Sequence, residues 1–259
     1  SLDNKVMSGL ESANKVVLVS NTITGPTAKE AINALKTKVG EDKFQHIQYD
    51  ATSYAGMREA NKRSFGLTVD SPVSGATPTE PSEDGDQGVV ADVAAVDSGK
   101  AQGIIPGYDF SKAKTIVSID ADFLNSWLMP TVFTGQYGER RNPDGEWMSK
   151  HFQFESVMSV TGSNADVRGM IKPSEQASVL AYMLSEFGVS TSVSTKLNDS
   201  AMAAAKKAVN ALKVSKDASL VVCGSNDVDI QMMCNKLNHE LGAYKTTINV
   251  NNPINMFMS

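Results

Sequence analysis

Cysteine is scarce in this chain of 259 residues: Cys223 and Cys234 are the two present. Two thiols without a CxxC pair exclude a cysteine-held iron–sulfur cluster or a zinc ribbon within the chain, and both read as buried free thiols, with a disulfide between them as the alternative in an oxidising compartment. Histidine is as sparse. His46, His151 and His239 lie far apart and none stands at helical spacing from another, which removes the common zinc motifs. His151, next to a phenylalanine-rich strand, reads as a packed or hydrogen-bonded core residue. There is no GxGxxG, Walker A, GxSxG or HExxH. Positive charge is not in excess either. The net charge of −5 and the lack of a basic run argue against a nucleic-acid partner. No apolar run approaches the ~20 residues of a membrane helix, so no direct membrane insertion is expected. The opening "SLDNKVMSGLESANK" lacks the basic-then-apolar pattern of a signal peptide and does not begin with Met, so the chain reads as a piece of a longer protein.

What remains is an ordinary globular composition, 41% apolar and 20% charged, with strands and helices in alternation. "KVVLVSNTITGPTAKEAINALKTKVG" reads as strand, loop and helix. Val16 to Val19 form a β-branched run expected to be covered on both faces, and Ala28, Ala31, Ile32 and Leu35 recur at helical spacing. Phe44 to Tyr49 reads as the next strand, followed by a helix in "SYAGMREANKRSFG". The alternation resumes with strands in "KTIVSID" and "SKHFQFESV" and helices in "PSEQASVLAYMLSEFG" and "NDSAMAAAKKAVNALK". It ends with a strand in "ASLVVCGSND", a helix in "DVDIQMMCNKLNHELG" and a last strand in "KTTINV". In that last helix Ile230, Met233, Cys234, Leu237 and Leu241 share the inward face. This order predicts an α/β fold: a Rossmann-like, mainly parallel sheet with helices on both faces. Val16–Ser20, Ile116–Ile119 and Leu220–Cys223 are expected at its centre, with Phe44–Tyr49 beside the first.

One segment breaks the alternation. Residues 67–103 are rich in Pro, Gly, Ser and Thr. They carry seven carboxylates (Asp70, Glu80, Glu83, Asp84, Asp86, Asp92, Asp97) against Lys100, a net of −6 that leaves the rest of the chain at +1 of its −5. The segment reads as a flexible acidic surface insertion in a single domain spanning residues 1–259.

Ligands of parallel sheets bind beyond the carboxyl ends of strands. Four loops hold that position: "SNTITGPT", "DADFLNSW", "ESVMSVTGSNADVR" and "GSND". The first places Thr27 at a helix N-terminus, where free N–H groups can hold an anion. Thr27, Asp122 and Asn226 are equally good helix caps. Asp120 and Asp122 could hold a metal, touch a cofactor, or start a helix. No third metal ligand accompanies them.

Four stretches occur in a recognisable order: "VVLVSNTITGPT", "YDFSKAKTIVSIDADFLNSWLMPTVFTGQYGERR", "HFQFESVMSVTGSNADVR" and "SLVVCGSNDVDIQMMCNKLNHELG". Together they resemble the molybdopterin-oxidoreductase-like part of the large iron–sulfur subunit of alternative complex III. That assembly is a bacterial quinol:cytochrome c oxidoreductase, and the subunit belongs to the dimethyl sulfoxide reductase superfamily. "SIDADFLNSW" and "SVTGSNADVR" are the most specific parts, and the resemblance spans most of the chain outside the acidic insertion. It implies loops near a pterin–guanine dinucleotide in the superfamily's enzymes. In the respiratory subunit it implies a scaffold that binds no molybdopterin. Thr24, Gly25, Thr27, Asp120, Asp122, Gly162, Asn164 and Asp166 would then line a vestigial cofactor crevice, with no catalytic residue and no metal site. Iron–sulfur clusters would sit in another domain of the full-length protein. Its partners would be other subunits of a membrane-bound respiratory complex, including cytochrome c and quinol-site subunits, on the periplasmic side of the bacterial inner membrane. The isolated domain is expected to be inactive. The alternative is a fragment of a working molybdopterin-dependent oxidoreductase.

Overall fold

The computed structural model describes residues 1–65 and 103–254. All of the acidic insertion except Gly103 lies outside the described residues. Among the described residues the chain divides into two units, the first comprising Ser1–Tyr54 and the second running from Ala55 to Ile254.

The first unit holds helix α1 (Leu2–Ser12), strand β1 (Val16–Ser20), helix α2 (Pro26–Val39) and strand β2 (Phe44–Gln48). β1 and β2 pair in parallel, Val16 opposite Phe44 and Ser20 opposite Gln48, as a two-stranded sheet of their own. This corrects two expectations. β1 does not join the large sheet, and its run of branched residues is not covered on both faces: Val17 is 44% and Val19 65% exposed. Branched residues favour the extended chain for steric reasons whether or not the second face is buried. Neither α1 nor α2 contains a buried residue.

The second unit begins with helix α3 (Ala55–Phe65) and the two-residue strand β3 (Gly107–Tyr108). Next come strand β4 (Thr115–Ile119), helix α4 (Pro130–Glu139), strand β5 (Lys150–Glu155), the single-turn α5 (Val160–Ser163) and strand β6 (Val167–Met170). Helices α6 (Gln176–Glu186) and α7 (Asp199–Ser215), strand β7 (Ser219–Cys223), helix α8 (Val228–Leu241) and strand β8 (Ile248–Asn249) complete it. The order β6-β5-β4-β7 forms a four-stranded sheet with every pairing parallel, so the fold is α/β. β6 was not anticipated. The last strand is short and pairs antiparallel with β3, away from the main sheet.

Each sheet face is covered. Val117, Ile119, Phe152, Phe154, Val221 and Cys223 meet Val179, Leu180 and Met183 of α6, Ala204, Ala208 and Leu212 of α7, and Met233, Leu237 and Leu241 of α8 in one core. On the opposite face Phe110 stacks on Phe123, with ring centroids 4.3 Å apart, and Tyr137 of α4 hydrogen-bonds His151 of β5. Cys223 and Cys234 are both free and buried.

β7 sits at the edge of the sheet, not at its centre as its uniformly apolar sequence predicts. α8 explains the difference. The Asn238 side chain accepts from Val221 N at 3.0 Å and donates to Val221 O at 2.8 Å, occupying the ladder position a fifth strand would take. Gln231 donates to Cys223 O at 2.9 Å further along the same edge. Among the described residues no helix is long and apolar enough to cross a membrane.

Candidate functional site

The carboxyl ends of β4 and β5 bring together the polar residues that matter. β4 leaves the sheet through Asp120, whose φ of 53° is left-handed, a conformation that aspartate tolerates better than most residues. Its N–H still donates to Phe154 O at 2.8 Å, while its carbonyl turns toward Gly224 so closely that a Cβ there would come within 2.1 Å. Only a glycine permits that approach. Asp120 Oδ2 accepts from Gln176 Nε2 of α6 at 2.5 Å.

Asp122 does not start a helix. It organises a turn: its carbonyl accepts from the N–H groups of Asn125, Ser126 and Trp127 at 2.9–3.1 Å. Its carboxylate reaches across to the segment after β5. Oδ1 accepts from Thr161 N at 3.0 Å and Thr161 Oγ1 at 2.7 Å, and Oδ2 accepts from Asn125 Nδ2 at 3.0 Å and Ser126 Oγ at 3.4 Å. Partial burial favours the protonated acid, but these four donors outweigh it and hold the carboxyl below its ordinary range.

Glu155, at the end of β5, secures the other side of the same turn. Oε1 accepts from Ser159 N at 3.2 Å and Arg168 Nε at 2.6 Å, and Oε2 from Ser159 Oγ at 2.6 Å and Gln153 Nε2 at 3.2 Å. Burial works against its charge too, and the Ser159 and Arg168 donors again prevail, lowering the pKa. Gly162 is needed for this fit, since a Cβ there would lie 1.8 Å from Glu155 Oε1. Ser159 Oγ in turn accepts from Gly162 N at 2.9 Å.

From Glu155 a line of polar groups runs back along β5. Gln153 gives its amide N–H to Glu155, so its Oε1 is left to face His151 Nε2 at 3.4 Å. On the other side of the ring, His151 Nδ1 lies 3.2 Å from the Tyr137 hydroxyl. That hydroxyl donates to Asn164 O at 3.0 Å. His151 is fully buried, and the loss of solvent pushes its pKa down to about 4. It is the core residue that its sequence context predicts.

The remaining residues read from the sequence are dispersed. Asp166 lies by the amino end of β5, where it accepts from His151 N at 2.7 Å and pairs with Arg141 through contacts of 2.8 and 3.0 Å. Asn164 ends α5 and donates to Val160 O at 2.8 Å. Thr24, Gly25 and Thr27 belong to the first unit. There Gly25, not Thr27, is the cap of α2, and it makes no side-chain cap bond. Asn226 is not the cap of α8 either. Asp227 takes that role, and Asn226 Oδ1 accepts from Gly56 N at 2.8 Å. Glu155, Ser159, Thr161, Arg168 and Gln176 were missed. The strict alternation of "HFQFE" pointed to Glu155, because a strand with one apolar face and one polar face holds its last polar residue in line with the others. Nothing local marks Gln176.

A cavity of about 540 Å³ lies elsewhere, lined by Tyr108, Asp109, Gln136, Tyr244, Lys245 and Asn249 among others, and none of the residues read from the sequence borders it. Among the described residues no group of three or more His, Cys, Asp or Glu could hold a metal ion. At the carboxyl ends the carboxylates cross-link loops: Asp122 and Glu155 accept through both oxygens and Asp120 through Oδ2. Compared with known proteins, the chain matches no family and no curated relative.

Proposed function

We propose that this chain is a scaffold domain of a respiratory electron-transfer subunit, the molybdopterin-oxidoreductase-like part of an alternative complex III large subunit, and that it binds no molybdopterin. The doubly covered parallel sheet agrees with a Rossmann-like ancestry, and the acidic segment of residues 67–103 is read as a surface insertion on it.

One observation carries the scaffold reading: the Asp122 carboxylate, with all four of its hydrogen bonds made to Thr161, Asn125 and Ser126. A pterin–guanine dinucleotide brings phosphates, and its polar groups need unengaged partners at this sheet end. Here it would meet three carboxylates, Asp120, Asp122 and Glu155, that already hold the surrounding N–H and O–H groups. These residues do not fit an anionic dinucleotide. A domain of this kind acts through the surfaces it offers to neighbouring subunits, on the periplasmic face of the inner membrane, while iron–sulfur clusters elsewhere in the full-length protein carry the electrons.

Elemental analysis of purified full-length protein tests the proposal. Iron without molybdenum or tungsten is the expected result. Stoichiometric molybdenum or tungsten, with pterin released on denaturation, would replace the scaffold with a working oxidoreductase. Converting Asp120 and Asp122 together to Asn is expected to leave electron transfer through the complex nearly unchanged in protein that folds.

A further inference from the structure

We propose that Glu155 is a built-in counter-anion: its carboxylate fills a seat made by Ser159 N–H, Ser159 O–H and the Arg168 guanidinium, a seat that would otherwise bind a small oxyanion from solution. The seat has the features of an anion site. Arg168 Nε meets Glu155 Oε1 at 2.6 Å and Ser159 N meets the same oxygen at 3.2 Å, while Ser159 Oγ meets the second oxygen at 2.6 Å. A charged donor, a backbone amide and a hydroxyl thus converge on one carboxylate from different directions. The wall facing it is bare backbone at Gly162, where any side chain would occupy the space of the anion.

The occupant is a side chain of the same fold, held 1% exposed, with Gln153 Nε2 closing the fourth direction. Arg168 is 27% exposed at its side chain, so the seat is accessible from solvent once the carboxylate is removed. An occupant from the same chain has a large effective concentration and loses little freedom on binding, so external anions do not displace it. The ligand class follows from the donors: a planar or tetrahedral oxyanion presenting two adjacent oxygens, of which formate is the smallest carboxylate. The inference stands on the Glu155 geometry and does not require the scaffold reading.

The test uses the 259-residue chain and three variants, melted in sodium formate and in sodium chloride at equal ionic strength. Glu155→Ala is expected to melt about 10 °C below the parent in chloride, because it leaves a guanidinium uncompensated in a mostly buried site. Formate should raise that midpoint saturably, while the parent shows the same midpoint in both salts. Glu155→Ala with Arg168→Gln should lose the formate response. If Glu155→Ala does not fold in chloride, its yield of folded protein in formate reads the same property. Glu155→Gln keeps the side-chain volume in the seat and should show the same midpoint in formate and in chloride. Equal behaviour of Glu155→Ala in the two salts overturns the proposal. So does a saturable formate response in the parent. A parent chain that bound pterin would defeat the scaffold reading alone, and the salt comparison would still judge Glu155.

Discussion

Asp122 shows how much a single side chain can do when its partners belong to another loop. Replacing it with Ala strands Thr161 N and Thr161 Oγ1 and removes the side-chain bonds from Asn125 and Ser126, while the backbone carbonyl that holds the turn remains. We expect a loss of about 2–3 kcal/mol in chemical denaturation, with Asp122→Asn losing less because it retains the acceptor oxygen. A loss below about 0.5 kcal/mol would mean that the turn holds itself. His151 gives a prediction in pH. Its pKa falls from 6.5 in the unfolded chain to about 4 in the fold, so between those values the unfolded chain binds the extra proton. Stability is therefore complete above pH 6.5, declines as the pH drops toward 4 by roughly 3 kcal/mol, and gains nothing further from this group below that. Asp122, Glu155 and Asp166, all lowered, add losses that set in as the pH falls through the ordinary carboxylate values of 4.5 for glutamate and 3.8 for aspartate. Denaturation midpoints measured across this range should show His151→Gln holding its stability down to the carboxylate region.

At the scale of elements, glycine contacts decide where helices lie. A Cβ on Gly56 would come within 1.8 Å of Asn226 O, and Asn61 and Asn235 are hydrogen-bonded at 2.8 Å where α3 meets α8. Gly56→Ala must push α3 off α8. We expect more than about 2 kcal/mol of destabilisation, since rigid backbone cannot yield as a side-chain tip does, and faster amide exchange confined to α3. Such contacts are not legible in sequence, because they join residues far apart in the chain. The periodicity of α7 and α8 was legible, and so was β4, because local pattern and burial agree there. β7 misled for a physical reason. A strand whose open edge is hydrogen-bonded by Asn238 can be as apolar as a central one, and an asparagine in a helix gives no sign of that duty. The candidate site was half legible: Asp120, Asp122 and Gly162 stand in conspicuous stretches of sequence that follow strands, whereas Arg168 and Gln176 become partners only through the fold.

Across the whole molecule, stability is expected to be uneven. The second unit holds the large core, while the two helices of the first bury nothing and its sheet has two strands, fewer than an independent sheet usually needs. Hydrogen exchange should find β1 and β2 amides opening well before those of β4 and β5. Limited proteolysis should cut within residues 1–54 while a fragment bearing β4 to β7 persists. Equal protection of the two sheets would show that the first unit is stabilised by something other than its own packing.

The two-sided character of β5 also bears on how the sheet avoids assembling wrongly. Phe152 and Phe154 point one way, and His151, Gln153 and Glu155 the other, all of them buried. A slip of one residue against β4 would drive a carboxylate and an imidazole among the leucines of α6 and α7 and leave two phenyl rings facing Arg168 and Tyr137. An all-apolar strand would tolerate that slip, whereas this one makes it prohibitively costly. The hydrogen-bonded line from Tyr137 to Glu155 therefore specifies the register of the sheet as well as adding to its stability.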